Sequence, residues 1–256
     1  MSATRQLAEL HSMMGNYRDA IMLYEEIQEC LRGETPVEVL LDLLKNYEKG
    51  KDFDNAILLL NLMMVSEDTR SSIDNKRYIG LHIGAWEFNV KQNQKEMATQ
   101  YLLDAFTFAG QNMPRKDNVK DKIKAYILCS CDETTCSIGE NIKMNLNSLC
   151  GIPSLHNTKD CLPGTRRLRY LEESLDNCEF ILLINNCEFT SEFSNFYMEL
   201  VISSDVFRSK AVLIGNAEMD PQLRMLQRVA FPETNDVTIG WLKDLFEKVL
   251  LGRDLK

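Results

Sequence analysis

Ala125-Tyr126-Ile127-Leu128-Cys129 and Phe180-Ile181-Leu182-Leu183-Ile184 are two unbroken apolar runs, the first closed by Ser130-Cys131-Asp132-Glu133 and the second by Asn185-Asn186. Short apolar runs bounded by turn formers read as strands buried on both faces, the habit of parallel sheets. Between them lies a helical pattern, Ile138 to Leu149, with Ile138, Ile142, Leu146 and Leu149 on one face and a glycine stop at Cys150-Gly151. A short strand at Ile152-Pro153-Ser154-Leu155 follows, then the loop Asn157-Thr158-Lys159-Asp160-Cys161-Leu162-Pro163-Gly164, then a helix bearing Leu168, Leu171 and Leu175. This alternation is that of βαβ units. It puts Pro163-Gly164 after a strand, at the carboxyl edge, where open α/β sheets place their sites.

Downstream, residues 191–207 read as a helix with Phe193, Phe196, Tyr197, Leu200, Val201 and Phe207. Ala211-Val212-Leu213-Ile214-Gly215 reads as a fourth strand and Val229-Ala230-Phe231 as a short fifth. Ile239–Leu251 closes the chain as a helix with Ile239, Leu242, Leu245, Phe246 and Val249 inward. The expected organisation is an α/β domain over 123–256, a linker over 111–122 around Pro114, and an all-α module over 1–110.

The helical module repeats itself. Leu7, Leu10, Met13 and Met14 recur at helical spacing up to Gly15-Asn16, and Tyr17-Arg18-Asp19-Ala20-Ile21 opens a second helix. Pro36 starts a third, through Leu40, Leu41, Leu44 and Tyr47 to Gly50, and Lys51-Asp52-Phe53-Asp54-Asn55-Ala56-Ile57 repeats the earlier string. A looser third copy runs from Tyr78 through Trp86 and Phe88 to Asn93-Gln94-Lys95-Glu96-Met97-Ala98, with Ser66–Ser72 read as extra loop before it. The strings resemble the second half of a tetratricopeptide repeat, in which a small residue lets paired helices approach. That resemblance implies either a surface for a helical or peptide ligand or a bundle that only packs.

The region from 123 to about 251 resembles the Toll/interleukin-1 receptor (TIR) domain. Tyr126-Ile127-Leu128-Cys129-Ser130 matches the family's first box, and Asp160-Cys161-Leu162-Pro163-Gly164 its second; Gly240-Trp241 is a weak third. The resemblance implies a flavodoxin-like parallel sheet and a loop that docks on another TIR domain, in a homo-oligomer or a hetero-assembly. Lys159, Asp160, Cys161, Leu162, Pro163, Gly164, Arg166 and Arg167 would form that surface, its basic rim steering an acidic partner.

Enzymatic members of the family hydrolyse NAD with a glutamate on the helix after the third strand, a carboxylate suited to an oxocarbenium-like centre. Glu199, followed by Leu200-Val201, is the residue of that type here. Counted from Phe193 in the family's Trp position, however, the slot falls on Tyr197, and two residues turn a helix by about 200°. The string Asn195-Phe196-Tyr197 is similar instead to the TRIF/TRAM (TICAM) adaptor branch. Three readings follow: a cytosolic signalling scaffold needing no cofactor, an NAD glycohydrolase using Glu199, or an interaction protein without signalling.

Composition sets outer bounds. The 256 residues are 45% hydrophobic and 26% charged with a net charge of -9, which argues against binding nucleic acid through phosphates. No apolar run approaches a membrane span or a signal-peptide core. The eight cysteines, mostly embedded in helix or strand patterns, therefore read as reduced thiols of a cytosolic chain. Cys129, Cys131 and Cys136 are close in sequence but lack a second clustered half, so no metal site is expected. His156 precedes the loop and reads either as a ligand contact or, more ordinarily, as an exposed turn residue; His11 and His82 read as structural. No phosphate-binding glycine loop, His-Glu-x-x-His string or nucleophile elbow is present.

Overall fold

In the computed structural model, three turns share one backbone device: Gly15, Lys51 and Asn93 have φ of 79°, 60° and 61°. Each stands five positions before an alanine with no exposed surface, namely Ala20, Ala56 and Ala98. The left-handed residue reverses the chain, and the alanine lets the next helix come close. The structure describes residues 2–31, 35–110, 124–129, 133–156, 160, 173–175, 177–184, 211–215, 226–232 and 236–251.

The chain forms two compact units, Met1–Tyr101 and Leu102–Lys256. The first is helical: α1 (Ser2–Met13), α2 (Tyr17–Leu31), α3 (Val37–Gly50), α4 (Phe53–Val65), α5 (Glu67–Ser72), α6 (Asn75–Lys91) and the start of α7 (Lys95–Gly110). Consecutive helices from α1 to α4 pack pairwise, and α4 packs on both α5 and α6. The second hairpin turns at Lys51, not at Gly50. Gly50 ends α3 against α2, where a Cβ would make only an ordinary contact, 3.5 Å from Ile21 Cδ1. Polar ties pin the helices: Tyr47 donates to Glu25 at 2.6 Å, Arg5 to Asp42 at 2.9 Å, and Tyr101 to Asn61 at 2.5 Å.

Ser66–Ser72, expected as loop, is mostly helix. Ser66 Oγ accepts from the Thr69 N–H at 3.2 Å, which caps α5 without any apolar period to announce it.

The second unit holds a five-stranded, all-parallel sheet in the order β2-β1-β3-β4-β5. The strands are β1 (Ala125–Cys129), β2 (Ser154–His156), β3 (Phe180–Ile184), β4 (Ala211–Ile214) and β5 (Gln227–Val229). Every residue of β1, β3 and β4 is buried, as their unbroken apolar runs require. Helix α8 (Glu133–Cys150) packs on β1 and β2, and α9 (Ile239–Leu251) on β4 and β5. Gly151, with φ of 64°, ends α8 at the predicted place.

Parallel partners point to one face, so the pairing of Ala125 with Phe180 puts Ile127 and Phe180 on the same side. Gly139 of α8 approaches Ile127, and Phe246 of α9 packs edge-on to Phe180, so both helices cover that side. Phe106 near the end of α7 stacks on Phe180 with centroids 5.7 Å apart, completing a three-ring cluster. Among the described residues, no helix is long and apolar enough to cross a membrane.

Candidate functional site

At the carboxyl edge of the sheet, β1, α8 and β2 end or begin within reach of one another. Cys129 is the last residue of β1, Cys136 the fourth of α8 and His156 the last of β2. Cys129 Sγ lies 3.7 Å from Cys136 Sγ and 3.3 Å from His156 Nε2. All three donor atoms lie within 4.8 Å of one another. Cys129 and His156 are buried, and Cys136 is half-buried. Register explains the convergence. His156 pairs with Ile127, and Cys129 is two residues on from Ile127, so both project to the face that α8 covers.

Gly139 makes room for the ring. A Cβ built on it would stand 2.7 Å from His156 Nε2, closer than real contacts allow, and 3.1 Å from Cδ2. A glycine inside a helix costs about 1 kcal/mol relative to alanine, and here the space it leaves is filled by the imidazole.

Asp160 sits just beyond β2 and ties the strand end down. Its carboxylate accepts from Lys143 Nζ at 2.6 and 2.7 Å and from the His156 N–H at 2.6 Å. The Asp160 N–H in turn donates to the His156 carbonyl at 3.1 Å. The side chains of Lys143 and Asp160 are 31% and 25% exposed, so solvent screens the pair and the ion pair itself adds only about 1 kcal/mol. Its effect is positional: it fixes where the chain leaves the sheet.

No protein-family model matches the sequence, and no curated protein matches it significantly. The functional reading therefore rests on the site's geometry.

Of the residues singled out in the loop, Asp160 is placed at this edge. Lys159, Cys161, Leu162, Pro163, Gly164, Arg166, Arg167 and Glu199 lie outside the described residues. Trp241 lies in the first turn of α9; its indole N–H donates to the Ala230 carbonyl at 2.9 Å, which ties the helix to the segment after β5.

His156 corrects the expectation of an exposed turn residue: it has no exposed surface and ends a strand. The strand starts and ends later than its apolar residues suggest, because Pro153 has no N–H for the ladder and only its carbonyl is used, accepting from the Ala125 N–H at 3.0 Å. Cys129, Cys150 and Cys178 are buried and Cys136 is half-buried, as expected of thiols embedded in helices and strands, whereas Cys30 is exposed. None of the described cysteines is in a disulfide. Cys150, at the end of α8, is fully buried, and desolvation pushes its thiol well above the usual range.

The sequence groups Cys129 and Cys136, with Cys131, but does not join His156 to them. The missing signal is topological. His156 is 27 residues from Cys129, and only the β1–β2 pairing closes that distance.

Proposed function

We propose that the second unit is a TIR-like assembly domain and the chain a cytosolic scaffold that works by docking of like domains through residues 157–167. The observation that carries this reading is the anchoring of Asp160, the acid of the second box, to Lys143 and to the end of β2. It puts Asp160 just beyond β2, at the carboxyl edge of a parallel sheet, where open α/β folds bind partners and ligands. The strand order β2-β1-β3-β4-β5 supports the reading, since it is the order of flavodoxin-like sheets. The recurrence of a left-handed residue five positions before a buried alanine supports tetratricopeptide-like repeats in the first unit. Such repeats would recruit a helical or peptide partner, or hold the assembly surface in check.

The test is self-association of the full chain. Light scattering across a concentration series should show assembly that weakens as salt rises, since Lys159, Arg166 and Arg167 supply charge at the rim. Pro163→His removes the ring that fixes one backbone dihedral of the loop. It should abolish assembly with an unchanged circular dichroism spectrum. Assembly undiminished in this variant would remove the docking role. The same preparation incubated with NAD decides the enzymatic alternative. Nicotinamide release that disappears in Glu199→Ala would replace the scaffold with a glycohydrolase; silence at high protein concentration favours the scaffold.

A further inference from the structure

We infer that Cys129, Cys136 and His156 form a binding site for a borderline-soft divalent cation of the Zn2+ type, closing β1, α8 and β2 around one ion.

Three facts carry the assignment. The donors are two sulfurs and an imidazole nitrogen, the set that selects zinc-type ions over calcium or magnesium. Their spacing suits such an ion. Tetrahedral Zn2+ with Zn–S of about 2.3 Å and Zn–N of about 2.0–2.1 Å separates its ligands by roughly 3.8 Å for a sulfur pair and 3.6 Å for sulfur and nitrogen. Two of the three pairs here, Cys129 with Cys136 and with His156, stand at 3.7 and 3.3 Å, and the third pair lies within 4.8 Å, so the donors converge on one ion with side-chain adjustment. Finally, the ring is held: Gly139 leaves the space it fills, and Asp160 clamps its backbone N–H. Among the described residues, this is the one group of His, Cys and carboxylate donors close enough to share an ion.

A nucleophilic role for the Cys129–His156 pair fits less well. Cys129 is only 3% exposed, so a substrate carbon has no approach to its sulfur, whereas an ion enters beside half-buried Cys136. Three protein ligands leave a fourth position for water or an added donor. Because thiolates bind the metal, binding releases protons and affinity rises with pH. The ion would cross-link the ends of β1 and β2 to the start of α8, directly beneath the chain's exit at Asp160.

Co2+ is the probe, because thiolate-bound tetrahedral Co2+ gives a charge-transfer band in the near ultraviolet and strong visible bands. Titrating the reduced, metal-free full chain should give these bands with saturation at one equivalent, and Zn2+ should displace them. Cys136→Ser, at a half-buried position, should weaken binding on the order of 100-fold while the circular dichroism spectrum is retained. Cys129→Ala should do the same, and Cys30→Ser, at an exposed position in the other unit, should change nothing. No tetrahedral bands with the folded wild type would overturn the site, and so would bands that survive in both Cys136→Ser and Cys129→Ala. Loss of the bands in Cys30→Ser would equally overturn it.

Discussion

Phe180→Ala should cost the second unit about 3–5 kcal/mol, the range for truncating a large core aromatic. Phe180 opens β3 with no exposed surface, at the centre of a ring cluster. It stacks on Phe106 at 5.7 Å with planes 15° apart and meets Phe246 edge-on at 6.5 Å. Phe106 and Phe246 also meet edge-on, at 6.2 Å, so the three rings touch pairwise and removing Phe180 breaks two of the three aromatic pairs. Each pair adds about 0.5–1.5 kcal/mol beyond the area it buries. The surrounding strands are hydrogen-bonded on both sides of β3, so the hole cannot collapse. For a domain with a stability of about 5–15 kcal/mol, the loss is a large fraction of the whole. Urea unfolding followed by circular dichroism measures it as a lower midpoint at constant slope. Phe180→Leu, which keeps most of the volume, should lose less than half as much. A loss below about 1 kcal/mol in the alanine variant would mean that these rings do not pack against one another.

The same burial explains which parts of the fold are legible in the sequence. β1 and β3 occupy the residues read as strands, because an apolar run buried on both faces needs no knowledge of its neighbours. The last helix likewise spans Ile239–Leu251 as read, its apolar residues spaced at the helical period. Legibility fails where the determinant lies elsewhere in the chain. β5 runs over Gln227–Val229, two residues earlier than its apolar cluster, because Gln227 and Arg228 pair with β4 from the sheet's edge while their side chains face solvent. α8 begins at Glu133, five residues before its first apolar position, on a turn that carries no helical stripe. α5 starts at a serine cap with no apolar period in its own residues, and it packs on α4. His156 is the clearest case. Nothing beside it in the chain reveals that it is buried; the reason is the bare Cα of Gly139, seventeen residues earlier.

That dependence predicts a reversal of sign between two otherwise identical substitutions. Gly→Ala inside a helix ordinarily stabilises by about 0.5–1 kcal/mol, because alanine loses less backbone entropy on folding. Gly80, in α6, has nothing within 4 Å of the place a methyl carbon would take, so Gly80→Ala should show this gain. At Gly139 the methyl carbon would stand 2.7 Å from His156 Nε2 and 3.3 Å from Ile127 Cγ2. The imidazole cannot easily retreat. It is fully buried, and its backbone is clamped through Asp160 to Lys143 on the same helix that would carry the new methyl. Either α8 lifts from β1 and β2 or the ring leaves its position, and overpacking of this kind costs about 1–3 kcal/mol, more than the helical gain. Gly139→Ala should therefore lower the urea midpoint while Gly80→Ala raises it. Because the methyl's nearest neighbour is the ring, Gly139→Ala should also weaken Co2+ binding with both cysteines still in place. A rise in midpoint for Gly139→Ala would show that the ring has room to move, and the case for a site held ready by the fold would fall with it.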